Sequence, residues 1–90
     1  MLSYQITCKI VPAKIIEMEQ LRDAHLKYIE SRSKDISFGG LLVDQQHSLM
    51  AIVYYVLLPN SADAFMFAEG DPYFPFYKAI EVNEFIQKKP

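Results

Sequence analysis

Leu49-Met50-Ala51-Ile52-Val53-Tyr54-Tyr55-Val56-Leu57-Leu58 is a run of ten apolar or aromatic residues with no polar position among them. A strand that meets water on one side alternates apolar with polar, so a strand without a wet side is built for burial on both faces. Even extended to Pro59 the run is far too short to cross a membrane. Before it, Asp44-Gln45-Gln46-His47-Ser48 reads as a polar hairpin loop, and Ile36 to Val43 as a strand interrupted by Gly39-Gly40. Paired glycines within a strand suggest a bulge or a place where something must come close to the backbone. After the run, Pro59-Asn60-Ser61 breaks it, and Asn60 or Ser61 can cap a helix from Ala62 to Glu69. That helix is expected to bury Phe65, Met66 or Ala68, with Gly70 as its C-cap.

Leu2 to Val11 sets Tyr4, Ile6, Cys8 and Ile10 against Gln5, Thr7 and Lys9, the period of a half-buried strand, and Pro12 ends it. From Ala13 to about Arg32 the steps become three and four, through Ile15, Met18, Leu21, His25, Tyr28 and Ile29. This spacing predicts one amphipathic helix, followed by a turn at Ser33-Lys34-Asp35. Asp71 to Tyr77 holds two prolines and reads as irregular, and Lys78 to Ile86 alternates as a last strand.

The order is βαββαβ. Two such halves give an α+β, ferredoxin-like arrangement: a four-stranded antiparallel sheet, two helices on one face, the first and third strands central. Residues 1–90 have room for one domain only. Its helices leave the other sheet face bare, and about four large side chains left in water would forfeit on the order of 1.5–3 kcal/mol each. A second copy is the simplest cover, which predicts a homodimer through the sheet face and leaves a higher oligomer open. The plainer alternative is that Tyr54 and Tyr55 tolerate water and the patch is modest.

Half of the residues are hydrophobic, which argues against disorder. The net charge is -2 and the basic residues are scattered, so no basic stripe marks a nucleic-acid partner, and Lys88-Lys89 reads as a solvated tail. The start has no positive region leading into an apolar run, so no secretory signal is expected. Cys8 is the single cysteine, which forbids an internal disulfide and agrees with a cytoplasmic setting.

His25 sits between Leu21 and Tyr28-Ile29 on the apolar stripe, with Arg22 three residues earlier. It is either a core histidine satisfied by one hydrogen bond or the base of a site. Asp71 precedes Pro72 and leads a stretch of Tyr73, Phe74, Phe76 and Tyr77. It is either an acid holding its own turn or the partner of an imidazole, fixing the tautomer and raising the basicity of a general base. His47 reads as solvated, and Cys8 as a buried inert thiol. No metal is expected, since His25 and Asp71 alone make no ligand-spaced cluster, and Gly39-Gly40 is no phosphate cradle.

Arg22-Asp23-Ala24-His25-Leu26-Lys27-Tyr28, then Gly39-Gly40-Leu41-Leu42, then Asp71-Pro72-Tyr73 resemble the YciI-like (YCII-related) family. Its pattern is an Arg-x-x-His-Leu helix, a Gly-Pro-Leu strand and an Asp-Pro-Tyr turn before the last strand. The resemblance implies a dimeric α/β barrel related to muconolactone isomerase, with two sheets face to face. It also implies a His–Asp catalytic pair mapping onto His25 and Asp71, with Arg22, Gly40 and Tyr73 as substrate-binding positions around it. Some members resemble enzymes acting on small ring compounds, a dehydrochlorinase among them. The chain departs from the pattern at Leu41, where proline is usual, and at Phe74-Pro75-Phe76-Tyr77, which replaces a small Ala-Gly segment. Two functions stay open: a cofactor-free enzyme moving protons on a small cyclic or aromatic molecule, as in isomerisation or dehydrohalogenation, or a non-catalytic ligand-binding or structural dimer module. The residues do not name a substrate.

Overall fold

A computed structural model describes residues 1–88; Lys89 of the basic doublet and Pro90 lie outside the described residues. The elements are β1 (Leu2–Ile10), a 3-10 turn (Pro12–Lys14), α1 (Ile15–Glu19), α2 (Arg22–Ser31), β2 (Ile36–Val43), β3 (Leu49–Leu58), α3 (Ser61–Glu69), a second 3-10 turn (Phe74–Phe76) and β4 (Tyr77–Glu84). They form a four-stranded antiparallel sheet in the order β2-β3-β1-β4, a ferredoxin-like α+β fold with the first and third strands central. β1 keeps its predicted alternation, with Tyr4, Ile6, Cys8 and Ile10 buried.

The core lies between one sheet face and the helices. Ile6, Cys8, Ile10, Ile52, Tyr54 and Val56 from the sheet meet Met18, Ala64, Phe67 and Ala68. Register follows from this demand: Ile6 lies opposite both Tyr54 and Val82, and a slip of one residue would turn each set to the wrong side.

Three expectations need correction. The stretch after Pro12 is not one helix. At Gln20 and Leu21 the amides bond back only three residues, to Glu17 and Met18. That tighter winding breaks the 3.6-residue period and turns Leu21 partly outward, while Met18 and His25 stay buried. Second, α3 begins at Ser61 and buries Ala64, Phe67 and Ala68, not Phe65 or Met66. The Asn60 side chain accepts the Asp63 amide at 2.8 Å, and the helix leaves this cap with its 64, 67, 68 face toward the sheet. Third, the glycines of β2 do not bulge. The register shifts fall between Ile36 and Phe38 and between Leu42 and Val43. Close approach is the operative reason at Gly39, where a Cβ would lie 3.1 Å from both Tyr54 Cδ1 and the Val53 carbonyl. In the single chain the face of β3 turned away from the helices is only partly covered. Ala51 and Val53 on its outer side are buried, but Leu57 is 45% exposed, and Met50 at the start of the strand is exposed too.

β4 starts one residue earlier and ends two earlier than the alternation suggests, because Tyr77 is drawn into the ladder opposite Ile10. Gly70 caps α3 with an ordinary φ of −77°; its need is space, since a Cβ there would lie 2.6 Å from the Tyr28 hydroxyl.

Candidate functional site

α2 lies over the sheet with His25 turned inward, and Asp71 follows the end of α3. His25 Nδ1 and Asp71 Oδ1 are 2.7 Å apart, although 46 residues separate them. The histidine is 7% exposed and the aspartate 3%, so the bond is almost wholly out of water. Asp71 is held from several sides: the Tyr73 amide donates to Oδ1 at 2.9 Å, and the Tyr77 hydroxyl donates to Oδ2 at 2.6 Å. Acceptor-only oxygens surrounded this way orient the carboxylate, and with Nδ1–H donating to it the ring keeps its lone pair on Nε2. The Tyr54 hydroxyl lies 3.3 Å from that Nε2. Tyr73 stacks on the imidazole with ring centres 4.0 Å apart and planes 7° from parallel. No buried side-chain polar atom among the described residues lacks a partner.

The imidazole forms part of the wall of a groove of about 590 Å³, lined also by Met18, Glu19, Arg22, Leu26, Leu41, Leu49, Ile52 and Tyr73. The lining is apolar along β2 and β3 and charged where Glu19 ends α1 and Arg22 begins α2. A mostly apolar lining with a few polar groups is the composition of a small-molecule cleft. A larger groove of about 690 Å³ lies elsewhere, between Lys9, Lys78, Leu42 and Met50, and holds no His–Asp pair.

Of the five residues singled out from the sequence, His25, Asp71, Arg22 and Tyr73 come together here. Gly40 does not. It pairs with Val53 on the sheet face turned away from α2, and nothing lies within 4 Å of where its Cβ would be. It is Leu41, one residue on, that reaches the groove. Phe74 and Phe76 do not separate His25 from Asp71; their 3-10 turn carries the chain past the pair. Sequence reading missed Tyr54 and Tyr77. The even positions of β3 carry the signal for Tyr54, since Ile52, Tyr54, Val56 and Leu58 share the core face, and a buried tyrosine needs a polar partner for its hydroxyl. Among the described residues no group of three or more His, Cys, Asp or Glu is gathered as a metal would require.

Burial pushes the Cys8 thiol up to about 12, with the nearby Asp71 charge adding to it and a hydrogen bond with Tyr77 opposing it. Burial likewise holds the Tyr54 and Tyr77 hydroxyls well above the ordinary tyrosine range, with Asp71 contributing to both. These groups keep their protons in the folded chain where the unfolded chain would release them. The sign is therefore a loss of stability with rising pH. For Cys8 the window opens near its ordinary value of 9.0 and closes near 12, with a slope of about 1.4 kcal/mol per pH unit for that one proton. Denaturant titrations across this range should show the fall, and Cys8→Ala should reduce the slope by one proton.

No known protein family matches the chain, and no curated protein does. Among solved structures, the chain is similar to 5-chloro-2-hydroxyhydroquinone dehydrochlorinase from Burkholderia phenoliruptrix, solved with 2,5-dihydroxybenzoquinone. The TM-score is 0.83 at 18% identity, over 97% of this chain and 96% of that one. An antibiotic biosynthesis monooxygenase matches at TM-score 0.55 and 16% identity, over 99% and 100% of the two chains. A NIPSNAP domain protein from Burkholderia xenovorans matches at 0.53 and 17%, over 98% and 95%. At these identities the likeness is one of fold.

Proposed function

We propose that this chain is a YciI-like protein that acts on a small cyclic or aromatic metabolite by proton transfer at His25, in the manner of an isomerase or a dehydrohalogenase. The observation that carries the reading is the 2.7 Å bond between His25 Nδ1 and Asp71 Oδ1 at the wall of an apolar groove. Asp71 orients the ring and stabilises the imidazolium, so Nε2 is the base. Its 3.3 Å separation from the Tyr54 hydroxyl is a long contact that a substrate proton can replace. Nε2 takes a proton from a ring carbon or hydroxyl of the substrate. The electron pair left behind expels halide from a halogenated ring or shifts a double bond, and the imidazolium then releases its proton to solvent or to the substrate's other carbon. Arg22 in the groove lining would hold a carboxylate or phenolate, and Tyr73 would keep the ring edge on course. Such proton transfer needs no cofactor. The dehydrochlorinase of like fold was solved with 2,5-dihydroxybenzoquinone, a ring small enough for a groove of this volume.

The chain works as a homodimer through its open sheet face in this reading. Support comes from that face, where Phe38 stacks on Tyr55 at 4.3 Å and Tyr55 meets Phe85 edge-on at 5.0 Å, beside exposed Leu42 and Leu57. Such a patch on a small domain is what a second copy covers. The free thiol of Cys8 fits a cytoplasmic setting.

A second reading has its own support. Every polar atom of the His25 network already has a partner, as in a non-catalytic module held together by buried hydrogen bonds. His25→Ala separates the two. The enzyme reading expects a folded variant, weakened by about 1–3 kcal/mol because the buried Asp71 carboxylate loses one of its three donors, whose turnover falls on the order of 10²–10⁴-fold. Small phenols, aromatic acids and lactones, screened by thermal shift, supply the substrate for that assay. If no compound raises the melting temperature of the native chain and His25→Ala changes stability alone, the catalytic reading fails and the structural one stands.

A further inference from the structure

Two opposite charges line the groove beside His25 without pairing with each other. Glu19 ends α1 and Arg22 begins α2. Between them the amides of Gln20 and Leu21 bond back three residues, and in such winding side chains three apart eclipse. Glu19 and Arg22 therefore stand on one side of the break, and both line the groove. Opposite charges at this spacing ordinarily pair. Among the described residues the ion pairs are Lys9–Glu81, His25–Asp71 and Arg32–Asp35, and neither Glu19 nor Arg22 joins one. Both act on the Tyr73 hydroxyl: burial and Asp71 hold it above the ordinary tyrosine range, Arg22 opposes this, and Glu19 and Asp23 add to it. Asp23 is not part of the groove lining, which is otherwise apolar apart from His25 and Tyr73.

We propose that Glu19 is a specificity-determining residue, and that with Arg22 it selects a small aromatic acid carrying an amino group beside its carboxylate. The Arg22 guanidinium takes the carboxylate through paired N–H donors. A bare carboxylate placed there also meets the like charge of Glu19, which disfavours it. An N–H next to the carboxylate turns that repulsion into a hydrogen bond, because the ionised Glu19 side chain only accepts. A hydroxyl in the same place folds its one hydrogen onto its own carboxylate, whereas an amino group keeps a second N–H free. The ring then lies against the apolar lining of Met18, Leu26, Leu41, Leu49 and Ile52. This selectivity rests on the groove beside His25 being the ligand site, as proposed above, but not on turnover there.

Fluorescence titration with 2-aminobenzoate, and its displacement by benzoate, measures the preference directly. The native chain should bind 2-aminobenzoate about tenfold more tightly than benzoate, the low end for a hydrogen bond to a charged group because Glu19 is exposed. Glu19→Ala should bring the two within about twofold of each other, weakening 2-aminobenzoate and tightening benzoate together. A merely structural role for Glu19 would move both ligands the same way. Arg22→Gln should weaken both about tenfold. Equal binding in the native chain, a preference that survives Glu19→Ala, indifference of both ligands to Arg22→Gln, or no binding of either compound up to its solubility would each overturn the proposal. Catalysis is judged separately. Preferential binding with no turnover of any compound fails the catalytic reading and leaves Glu19 its role, and turnover without a Glu19-dependent preference does the reverse.

Discussion

Asp71→Ala should destabilise the folded chain by about 3–5 kcal/mol, since it strips three buried donors of their acceptor at once. The donors are His25 Nδ1, the Tyr73 amide and the Tyr77 hydroxyl, all within 2.9 Å of the carboxylate. The Tyr77 hydroxyl is left facing the space the carboxylate filled, and the amide of Tyr73 loses the acceptor that shapes the turn into β4. Asp71→Asn is the informative companion. Its carbonyl oxygen can still accept from His25 and Tyr73, and Tyr77 can turn its hydroxyl to accept from the new amide. It should recover at least half of the stability lost by alanine, while changing how the imidazole is held. Denaturant unfolding of the two variants beside the native chain measures this. If Asp71→Ala unfolds at nearly the native midpoint, the network is not a structural support of the site.

Phe67→Ala should cost a similar amount, about 3–5 kcal/mol for a large ring removed from a packed core. Phe67 is fully buried and is the point where α2, α3 and the sheet meet. Tyr54 touches its ring edge-on with centroids 5.3 Å apart, Tyr28 lies at 5.8 Å, and the Arg32 guanidinium sits 5.1 Å above its centre. Its carbonyl also accepts the Tyr28 hydroxyl at 2.8 Å, and that hydroxyl in turn accepts from Arg32 at 3.2 Å. The ring backs Tyr54, the residue whose hydroxyl reaches His25. Phe67→Leu keeps most of the volume and should lose only about 1–2 kcal/mol. Equal losses for the two variants, read from urea midpoints, would mean that shape rather than volume governs this corner.

Much of the architecture was legible from side-chain spacing. The two-residue period of β1 survives in the structure because a strand with one buried face has no other way to hide Tyr4, Ile6, Cys8 and Ile10. The helix after it was less legible. Its apolar spacing describes a regular helix, but three-residue hydrogen bonds at Gln20 and Leu21 reset the rotation, so Leu21 leaves the stripe. In α3 the composition allowed several faces, and packing selected Ala64, Phe67 and Ala68. His25 stood out by its place on an apolar stripe, and Asp71 by its place before a rigid aromatic turn. Their partnership was one of two open readings of each residue, and only the resemblance favoured it, because no local rule joins residues 46 positions apart.

Periodicity and breaker residues by themselves determined the sequence of strands and helices, since each depends on neighbours along the chain, and the handedness of the two crossovers then set β1 and β3 at the centre of the antiparallel sheet. Tertiary structure alone decided which way the paired glycines face and that Tyr54 and Tyr77 close around His25 and Asp71. Those outcomes follow from how strands register and which side the helices cover. Alternation divides a strand into two faces, but only packing against distant segments says which face is which.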